Sequence, residues 1–162
     1  MTKIAVILGD GVEGKGGTEK ATGYFTTYLR SINFTEFDVR VMKTRVGGSN
    51  IVRHLTTPLT LAYLFFHFLF NRYALAHVNI GPKGSTFRKI GVCLILVVLR
   101  VPYIVHLHGS GYDTYYRKAP GVLQYFIRFM FLHALYSVVL GDLWRDFAVA
   151  DLGVKPEKIR IV

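Results

Sequence analysis

The sequence predicts an α/β fold built on a doubly wound, mainly parallel, Rossmann-like sheet. Three observations lead there. Short β-rich apolar runs alternate with helical patterns of roughly 10–20 residues, which implies right-handed βαβ crossovers. Loops rich in glycine or polar residues follow the strand patterns, where such sheets hold their ligands. The 162 residues, 51% hydrophobic and 19% charged, suit one domain with a real core and exclude a disordered chain.

The first strand is expected over residues 3–8 (KIAVIL), followed by a glycine-dense loop, 9–17, and a helix over 18–31 with Thr18 as its cap. Residues 37–42 alternate as a second strand. A polar loop, 43–50, leads to a long apolar helix over 51–72. The third strand, 74–80, is closed by Gly81-Pro82, and a helix over 85–100 leads to the fourth strand, 103–107. A loop opening with His108-Gly109-Ser110-Gly111 precedes a helix over 121–135. A strand at 136–140, a helix at 142–152 and a last strand at 158–162 complete the pattern. No repeat or low-complexity linker interrupts it, so residues 1–162 are read as a single domain. Beyond the carboxyl ends of the strands lie three candidate ligand loops, 9–17, 81–85 and 108–113.

Charge is unevenly spread. Net charge is +10, yet no acidic residue occurs between Asp38 and Asp113, while Arg40, Lys43, Arg45, Arg53, Arg72, Lys83, Arg88, Lys89 and Arg100 fall there. Such one-sidedness attracts polyanions. The apolar runs at 59–70 and 90–99 are too short for the roughly 18–20 residues of a spanning helix. Within the helix expected over 51–72, Phe65, Phe66, Phe68 and Phe70 cannot all point one way at about 100° per residue, so part of that helix meets solvent or a partner. An interfacial helix flanked by Arg53 and Arg72, with Phe66 outward and Arg88 and Lys89 nearby, fits an anionic membrane surface. Nucleic acid would use the same charge, but no nucleic-acid fold motif accompanies it, and none is expected as a partner. Cys93, alone in an apolar run, reads as a small buried hydrophobe. With no secretory signal, a reducing compartment fits.

The loop Gly9-Asp10-Gly11-Val12-Glu13-Gly14 matches GxGxxG between a strand and a helix. Lys15, Gly16 and Gly17 intervene before the helix, and no acidic residue ends the second strand, so a dinucleotide site is a minor alternative. The same residues approach a phosphate-binding P-loop but put Gly16 where a magnesium-binding hydroxyl belongs. A plain solvent loop is possible. So is a loop whose backbone N–H groups face an anion at a helix N-terminus. His106 and His108 share a strand face, and His108, past the strand end, is expected to look into the cleft as a hydrogen-bonding or charge-stabilising group. Two histidines without further well-spaced ligands do not make a zinc site, so no metal is expected.

The order of these pieces resembles the N-terminal half of the glycosyltransferase family 4 enzymes. The resemblance rests on Gly16-Gly17-Thr18-Glu19 opening the first helix, and His106-Leu107-His108-Gly109 followed by Tyr112 and Tyr115-Tyr116. It continues through Val138-Val139-Leu140 before Asp142-Leu143-Trp144-Arg145 to Gly153 and Pro156-Glu157-Lys158-Ile159. The family commonly has Ser where Gly141 stands. The resemblance implies one half of a GT-B fold and retaining transfer of a hexose from a nucleotide sugar, the substrate, to a saccharide or lipid-linked acceptor in polysaccharide or lipopolysaccharide synthesis, with no cofactor. By the same resemblance Gly16, Gly17, Thr18, Glu19, Gly109 and Ser110 bind donor or acceptor, and His108 is the catalytic-site histidine. It implies a donor-binding C-terminal domain or partner subunit, without which this chain is expected to be inactive. It also implies a cytoplasmic location, peripheral at the inner face of the cell membrane. Two alternatives remain, a non-catalytic membrane-anchoring subunit of a split glycosyltransferase and a dinucleotide-binding oxidoreductase domain.

Overall fold

The computed structural model describes residues 2–8, 17–32, 37–44 and 50–162, with side chains at 19–28, 31–32, 39–44 and 55–162. Six parallel strands form one sheet in the order β2-β1-β3-β4-β5-β6. They are β1 (Thr2–Leu8), β2 (Phe37–Lys43), β3 (Leu75–Ile80), β4 (Tyr103–Leu107), β5 (Ser137–Val139) and β6 (Ile159–Ile161). The helices among the described residues are α1 (Gly17–Ser31), α2 (Asn50–Phe70), α3 (Gly84–Val98), α4 (Tyr112–Arg117), α5 (Gly121–Leu132) and α6 (Asp142–Ala150), with a 3-10 turn at Pro156–Lys158. The expected doubly wound, Rossmann-like α/β fold is what the chain adopts.

Handedness distributes the helices. The chain moves to one side from β1 to β2, then crosses back and proceeds the other way through β3 to β6. Right-handed crossovers therefore put α1 on one face and α2 to α6 on the other. The core lies under the larger layer. Leu64 and Phe68 of α2, Val92, Cys93 and Leu96 of α3, and Ile127, Met130 and Phe131 of α5 are buried there. They pack on Ala76, Val78 and Ile80 of β3 and on Tyr103, Val105 and Leu107 of β4. Tyr103 donates its hydroxyl proton to the Met130 carbonyl at 2.8 Å, satisfying the one polar atom it buries. Cys93 is fully buried, as expected, and burial pushes its thiol pKa far up.

Several expected boundaries shift for local reasons. Thr18 is the second residue of α1, so it does not cap that helix. α3 stops at Val98 because Arg100 turns left-handed (φ 55°) and bonds back to the Val97 carbonyl, swinging the chain toward Pro102. α5 stops at Leu132 rather than residue 135, since the Leu135 amide is taken by the Tyr103 carbonyl at 2.8 Å. Part of the expected 108–113 loop is helix: α4 begins at Tyr112, whose ring is fully buried against Phe131 and Phe147.

Candidate functional site

The reversal of strand order falls between β1 and β3, and in doubly wound sheets the crevice opens there, outside the carboxyl ends of the strands. The loop leaving β1, with Gly9 to Gly14, Lys15 and Gly16, lies outside the described residues. On its far side α1 begins at Gly17, with Glu19 half-buried in its first turn. One turn further, Thr22 is buried against β3.

Alternation along β3 and β4 builds the rest. Ala76, Val78 and Ile80 face the large helical layer, so His77 and Asn79 face α1. Register pairs Asn79 with His106 and His77 with Ile104, putting these side chains on one face. His77 Nε2 is 3.3 Å from His106 Nδ1, the His106 and His108 rings lie 3.8 Å apart, and His108 Nε2 is 3.0 Å from Asn79 Oδ1. Asn79 Nδ2 donates to Thr22 Oγ1 at 3.2 Å. The result is a continuous polar row: Thr22, Asn79, His108, His106, His77. It forms one wall of a pocket of about 400 Å³ whose other walls include Phe25, Ile104, Val138 and Val162.

Burial keeps these rings neutral. His77 is held down at about 4 and His106 at about 3, in both cases chiefly by burial, with charge repulsion from His108 added. Burial also lowers His108. The Asn79 amide donates to Thr22, so its oxygen faces His108 and can only accept. The His108 proton therefore sits on Nε2, which leaves Nδ1 with a lone pair. The N–H is held by Asn79, so what the ring offers a ligand is the Nδ1 lone pair, which can accept from a sugar hydroxyl. The His77 and His106 rings are stacked and the His106 and His108 rings are tilted by 38°, and among the described residues no group of three or more His, Cys, Asp or Glu could hold a metal ion.

Glycines let the two loops meet. The His108 amide donates to the Ile80 carbonyl at 2.8 Å, and a Cβ on Gly81 would lie 3.3 Å from the His108 carbonyl oxygen. Gly109 has φ +134°, and a Cβ there would sit 3.0 Å from Pro82 Cδ. Thr86 Oγ1 donates to the Gly81 carbonyl at 2.9 Å, tying this contact to the start of α3. Ser110 is exposed beside them.

Of the residues the sequence singled out, His108, Gly109 and Ser110 come together next to the crevice. Gly17, Thr18 and Glu19 open the neighbouring helix, while Gly16 and the Arg53 side chain lie outside the described residues. Phe66 and Arg72 are exposed and Arg88 is half-buried. Lys89 departs from the expected membrane-facing position. It is fully buried on the sheet side of α3, where its Nζ donates to Thr44 Oγ1 at 2.6 Å, so it cannot meet a membrane. A basic side chain one position from Arg88 points about 100° away around the helix, here into the protein. His77, Asn79, Thr22 and Phe25 were missed. The polar residues at every second place of β3 match His106 and His108 in period, and that alternation was the available signal.

No family model matches the chain, and no curated protein matches it.

Proposed function

We propose that this chain is the acceptor-binding, N-terminal half of a retaining glycosyltransferase, moving a hexose from a nucleotide sugar to a saccharide or lipid-linked acceptor. The observation that carries the reading is His108 at the carboxyl end of β4, braced by Asn79 and packed over the Gly81–Gly109 contact next to the switch point. A neutral imidazole whose N–H is held by Asn79 presents its Nδ1 lone pair, which suits contact with a donor-sugar hydroxyl and with the positive charge that develops as the glycosidic bond breaks. In this reading Gly16, Gly17, Thr18 and Glu19 approach the donor diphosphate and acceptor, Gly109 and Ser110 line the same cleft, and no cofactor is needed. A donor-binding domain or partner subunit completes the enzyme, which works on the cytoplasmic side, peripheral to the membrane.

Saturation-transfer NMR on this chain with a panel of nucleotide sugars and oligosaccharides, each at ~1 mM to reach weak complexes, tests the reading. Sugar protons should receive saturation, and His108→Ala should abolish it with the fold intact by circular dichroism. No saturation from any sugar, or an unchanged signal in His108→Ala, overturns it. The exposed apolar face of α2 favours a second reading, a non-catalytic subunit that anchors a catalytic partner to the membrane. There the partner's turnover on soluble acceptors should be indifferent to His108→Ala.

A further inference from the structure

The outer side of α2 is apolar along its described length. Leu55, Leu59, Tyr63, Phe66 and Phe70 are all exposed, Leu59 by 71% and Phe70 by 79%, and the Phe66 and Phe70 rings stack. At about 100° per residue, Leu55, Leu59, Ala62 and Phe66 fall within an arc of roughly 60°. On the opposite side Leu64 and Phe68 are buried against the core. A helix apolar on both sides needs cover for the second one. Neighbouring α3 extends the outer surface with exposed Phe87 and Val98. Among the described residues no helix is long and apolar enough to cross a membrane.

Charge selects what covers it. No acidic residue occurs between Asp38 and Asp113, so α2, α3 and the turns that follow them carry none. Exposed Arg72 and Arg100 follow the last turns of α2 and α3. Both helices connect parallel strands of the one sheet, α2 from β2 across β1 to β3 and α3 from β3 to β4, so both end on the side of the domain where strands begin, and the two arginines share that edge. An apolar stripe edged by cations and free of anions matches the boundary of an anionic bilayer. There acyl chains receive the rings and lipid phosphates the guanidiniums.

We propose that α2, with the adjoining edge of α3, docks flat on an anionic membrane surface, Leu59, Phe66 and Phe70 entering the headgroup–acyl boundary. This rests on exposed side chains and charge, not on the transferase reading, so a chain that binds no sugar would still dock.

The test is co-sedimentation with phosphatidylglycerol–phosphatidylcholine vesicles and with phosphatidylcholine vesicles alone. Binding to the anionic vesicles should weaken by about tenfold or more on pure phosphatidylcholine, and again between ~0.05 and ~0.5 M salt as screening shortens. The double variant Leu59→Asp/Phe66→Asp should lose binding while Phe66→Leu keeps it. Both sites are exposed, so circular dichroism should show each variant folded. Three outcomes overturn the proposal: no binding to anionic vesicles at low salt, binding unchanged in the double aspartate variant, or self-association through these residues with no vesicle binding.

Discussion

Asn79 and His108 lie 3.0 Å apart, Oδ1 to Nε2, and the Asn79 amide is itself held by Thr22 of α1. This contact joins the helix that opens at the crevice to the loop that follows β4. It also sets the tautomer of His108. A neutral amide brace leaves the imidazole uncharged, whereas a carboxylate in its place would favour the imidazolium. Asn79→Asp is therefore expected to raise the His108 pKa, read from the pH dependence of its ring-proton NMR shift. An unmoved titration would show that Asn79 does not face His108 in solution.

Stability should fall with acid. His77 and His106 titrate near 4 and 3 when folded, against 6.5 when free. Between those values and 6.5 the unfolded chain binds protons that the folded chain refuses. Stability is thus full above about 6.5, declines as pH drops through the window, and levels off below about 3. The slope is at most about 1.4 kcal/mol per pH unit for each ring. Urea denaturation across pH 3–8, a range on the order of that window, should show it, and His106→Gln should flatten it.

Gly109→Ala places a methyl group 3.0 Å from Pro82 Cδ on a backbone at φ +134°. The expected loss is about 1–3 kcal/mol in thermal or chemical unfolding. Because His108 is the preceding residue, the same variant should perturb the ring-proton resonances of His108. Wild-type stability would mean that the loop takes another conformation.

Lys89 gives a clean contrast with the surface cations. Lys89→Ala leaves a void in a fully buried place and removes a donor to Thr44, so it should cost about 2–4 kcal/mol. Lys89→Met, which keeps the stem and a similar volume, should cost less and leave vesicle binding as it is. Arg72→Glu should do the reverse, sparing stability and weakening binding.

Much of this molecule is legible from period and punctuation alone. The strand over Tyr103–Leu107 is bounded by Pro102 and by His108-Gly109, and it stands where the pattern puts it. The phenylalanines of α2 divide between core and solvent as helical geometry requires, with Phe68 buried and Phe66 and Phe70 out. Helix ends were less legible, since a carbonyl from a distant strand, that of Tyr103, decides where α5 gives way. Within the candidate site His106 of β4 and His108 just past its end stood out because they lead into a glycine loop. His77 and Asn79 did not, because their meaning depends on which strand lies beside them.

The alternation of elements, the glycine-rich stretches and the acid-free basic middle of the chain can be read from residue order, because all are properties of neighbours along the backbone. That β3 lies between β1 and β4, that Asn79 therefore meets His108, and that Lys89 turns inward while Arg72 stays out depend on how the elements pack in space. Local spacing sets which way a side chain points relative to its own helix or strand. What it then meets is settled by strand order and by the side of the sheet on which each crossover packs.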